Sequence, residues 1–203
     1  MFDAYLRPPL DILLHKVARP LVALGVTANM ITIAGGVVGV CACVATALGF
    51  YHSAFVLLVL NRLCDGLDGA VARLSLSSDF GGFLDIVFDF LFYSLLPFSF
   101  ALSRPEDSLA AAFLIVSFVG TGTSFLAYAI VAAKRGISTE VRGRKSFFYL
   151  GGLVEGAETI AVLGLILLFP EWFGVIAVIF GMLCWLTTIY RIKSAWQVFG
   201  KDY

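Results

Sequence analysis

The sequence predicts an all-α membrane protein, with six transmembrane helices preceded by an amphipathic interfacial helix. Three observations predict it. Of 203 residues, 60% are hydrophobic and only 14% charged, and the mean hydropathy is +0.96, whereas soluble domains are closer to half apolar and a quarter charged. Six stretches, 29–50, 54–73, 81–103, 108–133, 147–169 and 172–190, approach or exceed the ~20 mostly apolar residues that a spanning helix needs. Turn-like breaks separate them at Tyr51-His52-Ser53, Arg104-Pro105-Glu106-Asp107 and Pro170-Glu171.

Taken in order, the N-terminus does not read as a cleavable signal, because Asp3, Arg7 and Pro8-Pro9 stand where its apolar core would begin. Next, residues 9–24 place Leu10, Leu13, Leu14, Val17 and Leu21 at helical spacing, with Asp11, His15, Lys16 and Arg19 largely off that stripe. Such a helix lies in the membrane interface. The six spans follow without an internal repeat or a low-complexity linker. A single membrane domain over 1–203 is therefore expected, divided into an interfacial segment (1–26), the spans (29–190) and a tail (191–203).

Charge sets the orientation. With six spans, both termini share a side with the loops after the second and fourth spans. That side holds twelve Lys and Arg, from Arg7 to Lys201; the other holds only Arg104, while Arg62 sits inside the second span. Both termini are expected in the cytoplasm, in an inner membrane if the chain is bacterial. The formal net charge of zero argues against a nucleic-acid binder. Cys41, Cys43, Cys64 and Cys184 all lie in apolar stretches, without metal or redox spacing, and read as small apolar filler.

Four acids break the apolar pattern. Asp65 and Asp68 are three apart near the end of the second span, and Asp85 and Asp89 are four apart near the start of the third. On helices each pair shares one face. The short connection around 75–80 makes the helices antiparallel neighbours, so all four carboxylates converge near the cytoplasmic interface. Ionised acids in hydrocarbon are costly unless paired or bound to a cation. Arg62 and Arg73 neutralise two at most, and hard oxygen donors without Cys or His suit Mg²⁺, Mn²⁺ or Ca²⁺ over zinc. Gly66, Gly69, Gly81 and Gly82 flank the acids and suggest close approach of a ligand or a helix.

Asp65-Gly-Leu-Asp68-Gly69-Ala-Val-Ala72-Arg73, then seven residues, then Gly81-Gly-Phe-Leu-Asp85-Ile-Val-Phe-Asp89, resembles the signature of the CDP-alcohol phosphotransferases, D-x-x-D-G-x-x-A-R followed by G-x-x-x-D-x-x-x-D. Every fixed position is filled. The resemblance implies transfer of a phosphatidyl or other phosphoalcohol group from CDP-diacylglycerol or a related CDP-alcohol to an acceptor hydroxyl, with release of CMP. It implies two divalent ions, the first held by Asp65, Asp68 and Asp85 and the second by Asp65, Asp85 and Asp89. Asp89 is implied as general base. Asn29, Thr32, Gly69, Ala72 and Arg73 are implied donor contacts, with Asp79 or Ser78 as another. A homodimer is also implied, with which small residues such as Gly35, Gly36 and Gly39 are compatible.

The acceptor half is less defined. Lys145 resembles a lysine of members that take a phosphorylated acceptor, while Lys134, Arg135, Arg142 and Arg144 beside it also read as an ordinary positive-inside loop. Glu155 and Glu158, in the fifth span, read equally as acceptor ligands or as structural ion-pair partners. The Ala-Arg-Ala-Glu pattern of relatives that use inositol phosphate is not evident around 129–133, which argues against that acceptor. Two alternatives stand beside this reading: a divalent-cation transporter, and a transferase moving a CDP-linked headgroup onto diacylglycerol.

Overall fold

The computed structural model describes residues 3–75, 78–137 and 154–200, with side chains from residue 13 onward. Among these residues the chain forms seven α-helices: α1 (Asp3–Ala23), α2 (Ala28–Ala47), α3 (Tyr51–Leu74), α4 (Asp79–Ser103), α5 (Ser108–Lys134), α6 (Gly156–Leu168) and α7 (Phe173–Phe199). Single 3-10 turns, Pro105–Asp107 and Pro170–Trp172, lead into α5 and α7.

The all-α class holds, but the expectation of six spans does not. Among the described residues, which leave out 147–153 of the expected fifth span, four segments are long and apolar enough to cross a membrane: Ala28–Ala47, Asp79–Ser103, Pro105–Lys134 and Pro170–Phe199. Helix α3 has the length, at 24 residues, but Asn61, Arg62, Asp65, Asp68 and Arg73 interrupt its apolar character. Helix α6 has 13 residues, which at 1.5 Å per residue spans roughly 20 Å against a hydrocarbon core of about 30 Å.

Nor does an amphipathic interfacial helix stand apart at the N-terminus. Helix α1 packs on α3, and the side it buries centres on Ala18, with Leu14, Leu21 and Val22 around it against Ala70 and Val71. Leu13 and Val17, members of the expected stripe, stay exposed. The small Ala18 and the bare Gly66 explain the difference: a Cβ on Gly66 would lie 2.9 Å from Leu14 Cδ1, so the two helices meet on a line that hydrophobic spacing alone does not single out.

Another break also falls elsewhere. Tyr51, His52 and Ser53 form the first turn of α3. The chain reverses just before them, at Gly49 (φ +81°), where Phe50 N–H reaches back to Ala45 C=O at 2.8 Å. A residue with a Cβ is disfavoured in that left-handed backbone.

Helix α2 packs on both α3 and α4, which are not the directly packed neighbours the sequence suggests; α4 also packs on α5, α5 on α7, and α3 on α6. At one end the core is aromatic, with Phe100 stacked on Phe173 at 4.3 Å and on Tyr51 at 5.3 Å. At the other end lie the start of α2, the end of α3 and the start of α4. The C-termini of α5 and α7 meet each other, with Arg135 donating to Phe199 C=O at 3.2 Å and the Tyr128 and Phe199 rings 4.6 Å apart. All the signature acids lie toward the polar end of α3 and α4.

Candidate active site

Between α2, α3 and α4 lies a cavity of about 350 Å³. Its lining carries Asp65, Asp68, Asp85 and Asp89 with Asn61 and Arg62; the rest is largely apolar, including Ile33, Val37 and Val40 of α2 and Leu91 and Leu95 of α4. Bare backbone on α2 allows the helices to close around it. A Cβ on Gly36 would sit 2.9 Å from the Phe88 ring, and one on Gly35 would sit 3.0 Å from Cys64 Cβ. These glycines are thus used for packing within the chain.

Three of the four acids expected to converge come together. Asp65, Asp85 and Asp89 each offer a carboxylate oxygen, and the three oxygens lie within 4.8 Å of one another. That is a hard, all-oxygen donor set, which fits a hard divalent cation. Asp68 stands outside this trio. It is buried and accepts a 2.6 Å hydrogen bond from the Thr32 hydroxyl, which ties α3 to the first turns of α2.

Other expected residues gather at the same end. Asn29 lies against the start of α4, so that a Cβ on Gly81 would fall 2.6 Å from Asn29 Oδ1. Arg73 ends α3, with an exposed side chain whose Nη1 lies 3.4 Å from the position a Cβ on Gly69 would take. The bare Gly69 therefore leaves room beside the guanidinium. Ala72 is half-buried and Asp79 exposed. Ser78, considered as a ligand contact, caps α4 by accepting from Gly81 N–H at 3.0 Å. Glu155 and Glu158 form a reciprocal capping box at the start of α6, with Glu155 N–H donating to the Glu158 carboxylate at 3.1 Å. Lys145, Arg142 and Arg144 lie outside the described residues.

Sequence reasoning overlooked Asn61 and Tyr93. Asn61 is buried, donates from Nδ2 to Gly35 C=O at 2.8 Å and accepts from Arg62. Tyr93 directs its hydroxyl at Asp89 Oδ2, 3.4 Å away. The available signals were an amide inside an apolar stretch and a tyrosine one helical turn beyond Asp89.

The sequence model for CDP-alcohol phosphatidyltransferase matches residues 25–190. The chain belongs to this family. As a CDP-alcohol phosphatidyltransferase, it is an integral membrane enzyme that transfers a phosphoalcohol group from a CDP-alcohol. It is 50% identical over 197 residues to inner membrane protein YnjF of Escherichia coli, covering 97% of this chain and 96% of that one. Its fold resembles that of Mycobacterium tuberculosis phosphatidylinositol phosphate synthase with CDP-DAG bound, at TM-score 0.73 and 18% identity, covering 90% of this chain and 93% of that one. The same synthase in complex with manganese and citrate gives TM-score 0.69 and 22% identity, covering 90% and 88%.

Proposed function

We propose that this CDP-alcohol phosphatidyltransferase uses CDP-diacylglycerol as donor and passes its phosphatidyl group to the hydroxyl of a small acceptor, releasing CMP. One observation carries the reading: three carboxylates within 4.8 Å of each other form the polar end of a cavity whose remaining walls are largely aliphatic. Such a site suits a donor with a charged diphosphate and apolar tails. The Mycobacterium tuberculosis synthase, of similar fold, binds CDP-DAG in one structure and manganese in another, which supports both donor and cofactor.

Asp65, Asp68, Asp85 and Asp89 would hold the divalent cations, a pair of Mg²⁺ or Mn²⁺ ions in this proposal. When bound, the ions would offset charge on the diphosphate and on the leaving phosphate. Asn29, Thr32, Gly69, Ala72, Arg73 and Asp79 lie at the end where the cytidine diphosphate would enter, and the Arg73 guanidinium matches phosphate oxygens in a fork. Asp89 takes the proton of the acceptor hydroxyl as its oxygen attacks the phosphorus bearing the lipid. The new P–O bond forms as the bond to CMP breaks. Lys145, Glu155 and Glu158 are the proposed acceptor contacts, the two glutamates in addition to capping α6.

The site end is proposed to face the cytoplasm. Arg73 lies there at the end of α3 and Lys134 and Arg135 at the end of α5, with Lys193 toward the end of α7, whereas Arg104 lies at the aromatic end. A homodimer is proposed with it. A transporter would more readily hold its acids in broken helices near the midplane, but α3 and α4 run unbroken through all four.

The test is product identification. Purified protein is supplied with CDP-diacylglycerol, Mn²⁺ or Mg²⁺, and glycerol 3-phosphate, serine, inositol, inositol phosphate, glycerol or phosphatidylglycerol. One acceptor is expected to yield a new phospholipid together with CMP. Turnover only of CDP-choline or CDP-ethanolamine with diacylglycerol would overturn the donor assignment.

A further inference from the structure

Arg62 is the one cation among the described residues lining the cavity, and it lies outside the signature that begins at Asp65. It is held on several sides. Nε and Nη2 donate to Asn61 Oδ1 at 2.8 and 2.6 Å. The Phe92 and Tyr93 ring centres lie 5.6 and 6.0 Å from Cζ. Asn61 is itself anchored to α2 through Gly35 C=O. Only Nη1 is directed at the acids, reaching Asp89 Oδ1 at 2.8 Å and Asp65 Oδ2 at 3.7 Å.

This geometry argues against a substrate-phosphate arginine. Phosphate recognition by arginine uses a free fork of two N–H groups; here Nε and Nη2 are taken by Asn61 and Nη1 by carboxylates. The arrangement instead places a fixed positive charge where a metal ion would otherwise be needed. Four ionised carboxylates in a half-enclosed, membrane-embedded site repel one another strongly unless cations sit among them.

We propose that Arg62 is a resident counter-cation and positioning residue of the acid cluster. It holds Asp89 and Asp65 in place in the metal-free protein and competes with divalent ions for the same two carboxylates. Asn61 and the two rings aim it. The idea rests on the proposed reading of these acids as the metal site, and its consequence has a distinctive sign. A residue that merely supports the fold would, when removed, weaken metal binding. Removing a competing positive charge should strengthen it.

The experiment is Mn²⁺ titration of the detergent-purified full chain, followed by loss of the free-ion paramagnetic resonance signal, with thermal melts before and after metal. Arg62→Gln is expected to melt lower than wild type without metal, to gain more from Mn²⁺, and to bind Mn²⁺ roughly tenfold tighter or more, as removal of a unit charge a few ångströms away implies. Arg62→Lys keeps the charge and should bind Mn²⁺ within about threefold of wild type, although it loses the fork to Asn61. Unchanged or weaker Mn²⁺ binding by Arg62→Gln would overturn the proposal while leaving the metal site intact. If wild type bound no Mn²⁺, the metal-site reading would fall and this inference with it.

Should Arg62→Gln prove too unstable to purify, the Arg62→Gln/Asp89→Asn double variant removes one charge of each sign. It is expected to recover most of the metal-free melting temperature. A double variant as unstable as the single would overturn the pairing.

Discussion

Thr32 and Asp68 make the shortest side-chain link between α2 and α3, and removing it has a calculable effect. Thr32→Val keeps the side chain's shape but deletes the hydroxyl that donates to Asp68 Oδ2 at 2.6 Å. Both residues are nearly closed to solvent, at 8% and 7% exposure, so water cannot readily replace the lost donor. A hydrogen bond to a charged group contributes about 1.5–3 kcal/mol, and leaving a buried acceptor unpaired costs a similar amount. We therefore expect a loss of about 2 kcal/mol, or roughly 4–8 °C in melting temperature for a chain of this size. The assay is a thermal melt of the metal-free protein in detergent, followed by size-exclusion fluorescence. Thr32→Ser, which retains a hydroxyl, should melt within about 2 °C of wild type on the same scale. A Thr32→Val variant as stable as wild type would refute the reasoning, because it would show that the carboxylate does not depend on this donor.

Further outcomes follow from the same structure. Asp89→Asn should lower the turnover number by about 10²–10⁴-fold, the usual contribution of a general base, as measured by CMP release at saturating donor and metal. Gly36→Leu drives a side chain into Phe88, whose ring already lies 2.9 Å from the nearest Cβ position. It should cost about 1–3 kcal/mol and raise the donor KM by distorting the cavity. Phe100→Ala removes the ring stacked at 4.3 Å on Phe173 and should destabilise by about 3–5 kcal/mol, without altering Mn²⁺ affinity in the protein that remains folded. Glu158→Gln preserves an acceptor for the capping box and should leave stability unchanged within about 0.5 kcal/mol. A raised acceptor KM in that variant would support an acceptor role, and an unchanged KM would confine Glu158 to the cap.

Local periodicity made most of the site legible. The Asp65/Asp68 and Asp85/Asp89 pairs each occupy one helical face, but their helices do not pack directly on each other as expected: α3 and α4 each pack on α2, and the acids meet across the cavity between them. Asn61 and Tyr93 escaped notice because their importance is tertiary: Asn61 matters through Gly35 C=O on α2, and Tyr93 through a carboxylate one turn away. The span count failed for a related reason. The residues that equip α3 for chemistry also interrupt its apolar character. The stripe expected for α1 failed because small residues, Ala18 and Gly66, decide where helices can approach, whereas hydrophobic periodicity weights large ones. The break before α3 was placed late because its signal is a single glycine with positive φ, Gly49, adjoining polar residues that belong to the next helix.

The central claim is that Asp65, Asp85 and Asp89 hold a divalent cation on which transfer from the CDP-alcohol depends. The most direct test strips the purified protein with chelator, restores Mn²⁺ in steps, and follows CMP release from CDP-diacylglycerol in wild type and Asp85→Asn alongside Mn²⁺ binding. The account predicts no CMP without metal, release that rises with bound Mn²⁺ in wild type, and loss of both binding and release in Asp85→Asn. CMP release that persists in the stripped protein, or Mn²⁺ binding and turnover unaffected by Asp85→Asn, would contradict it.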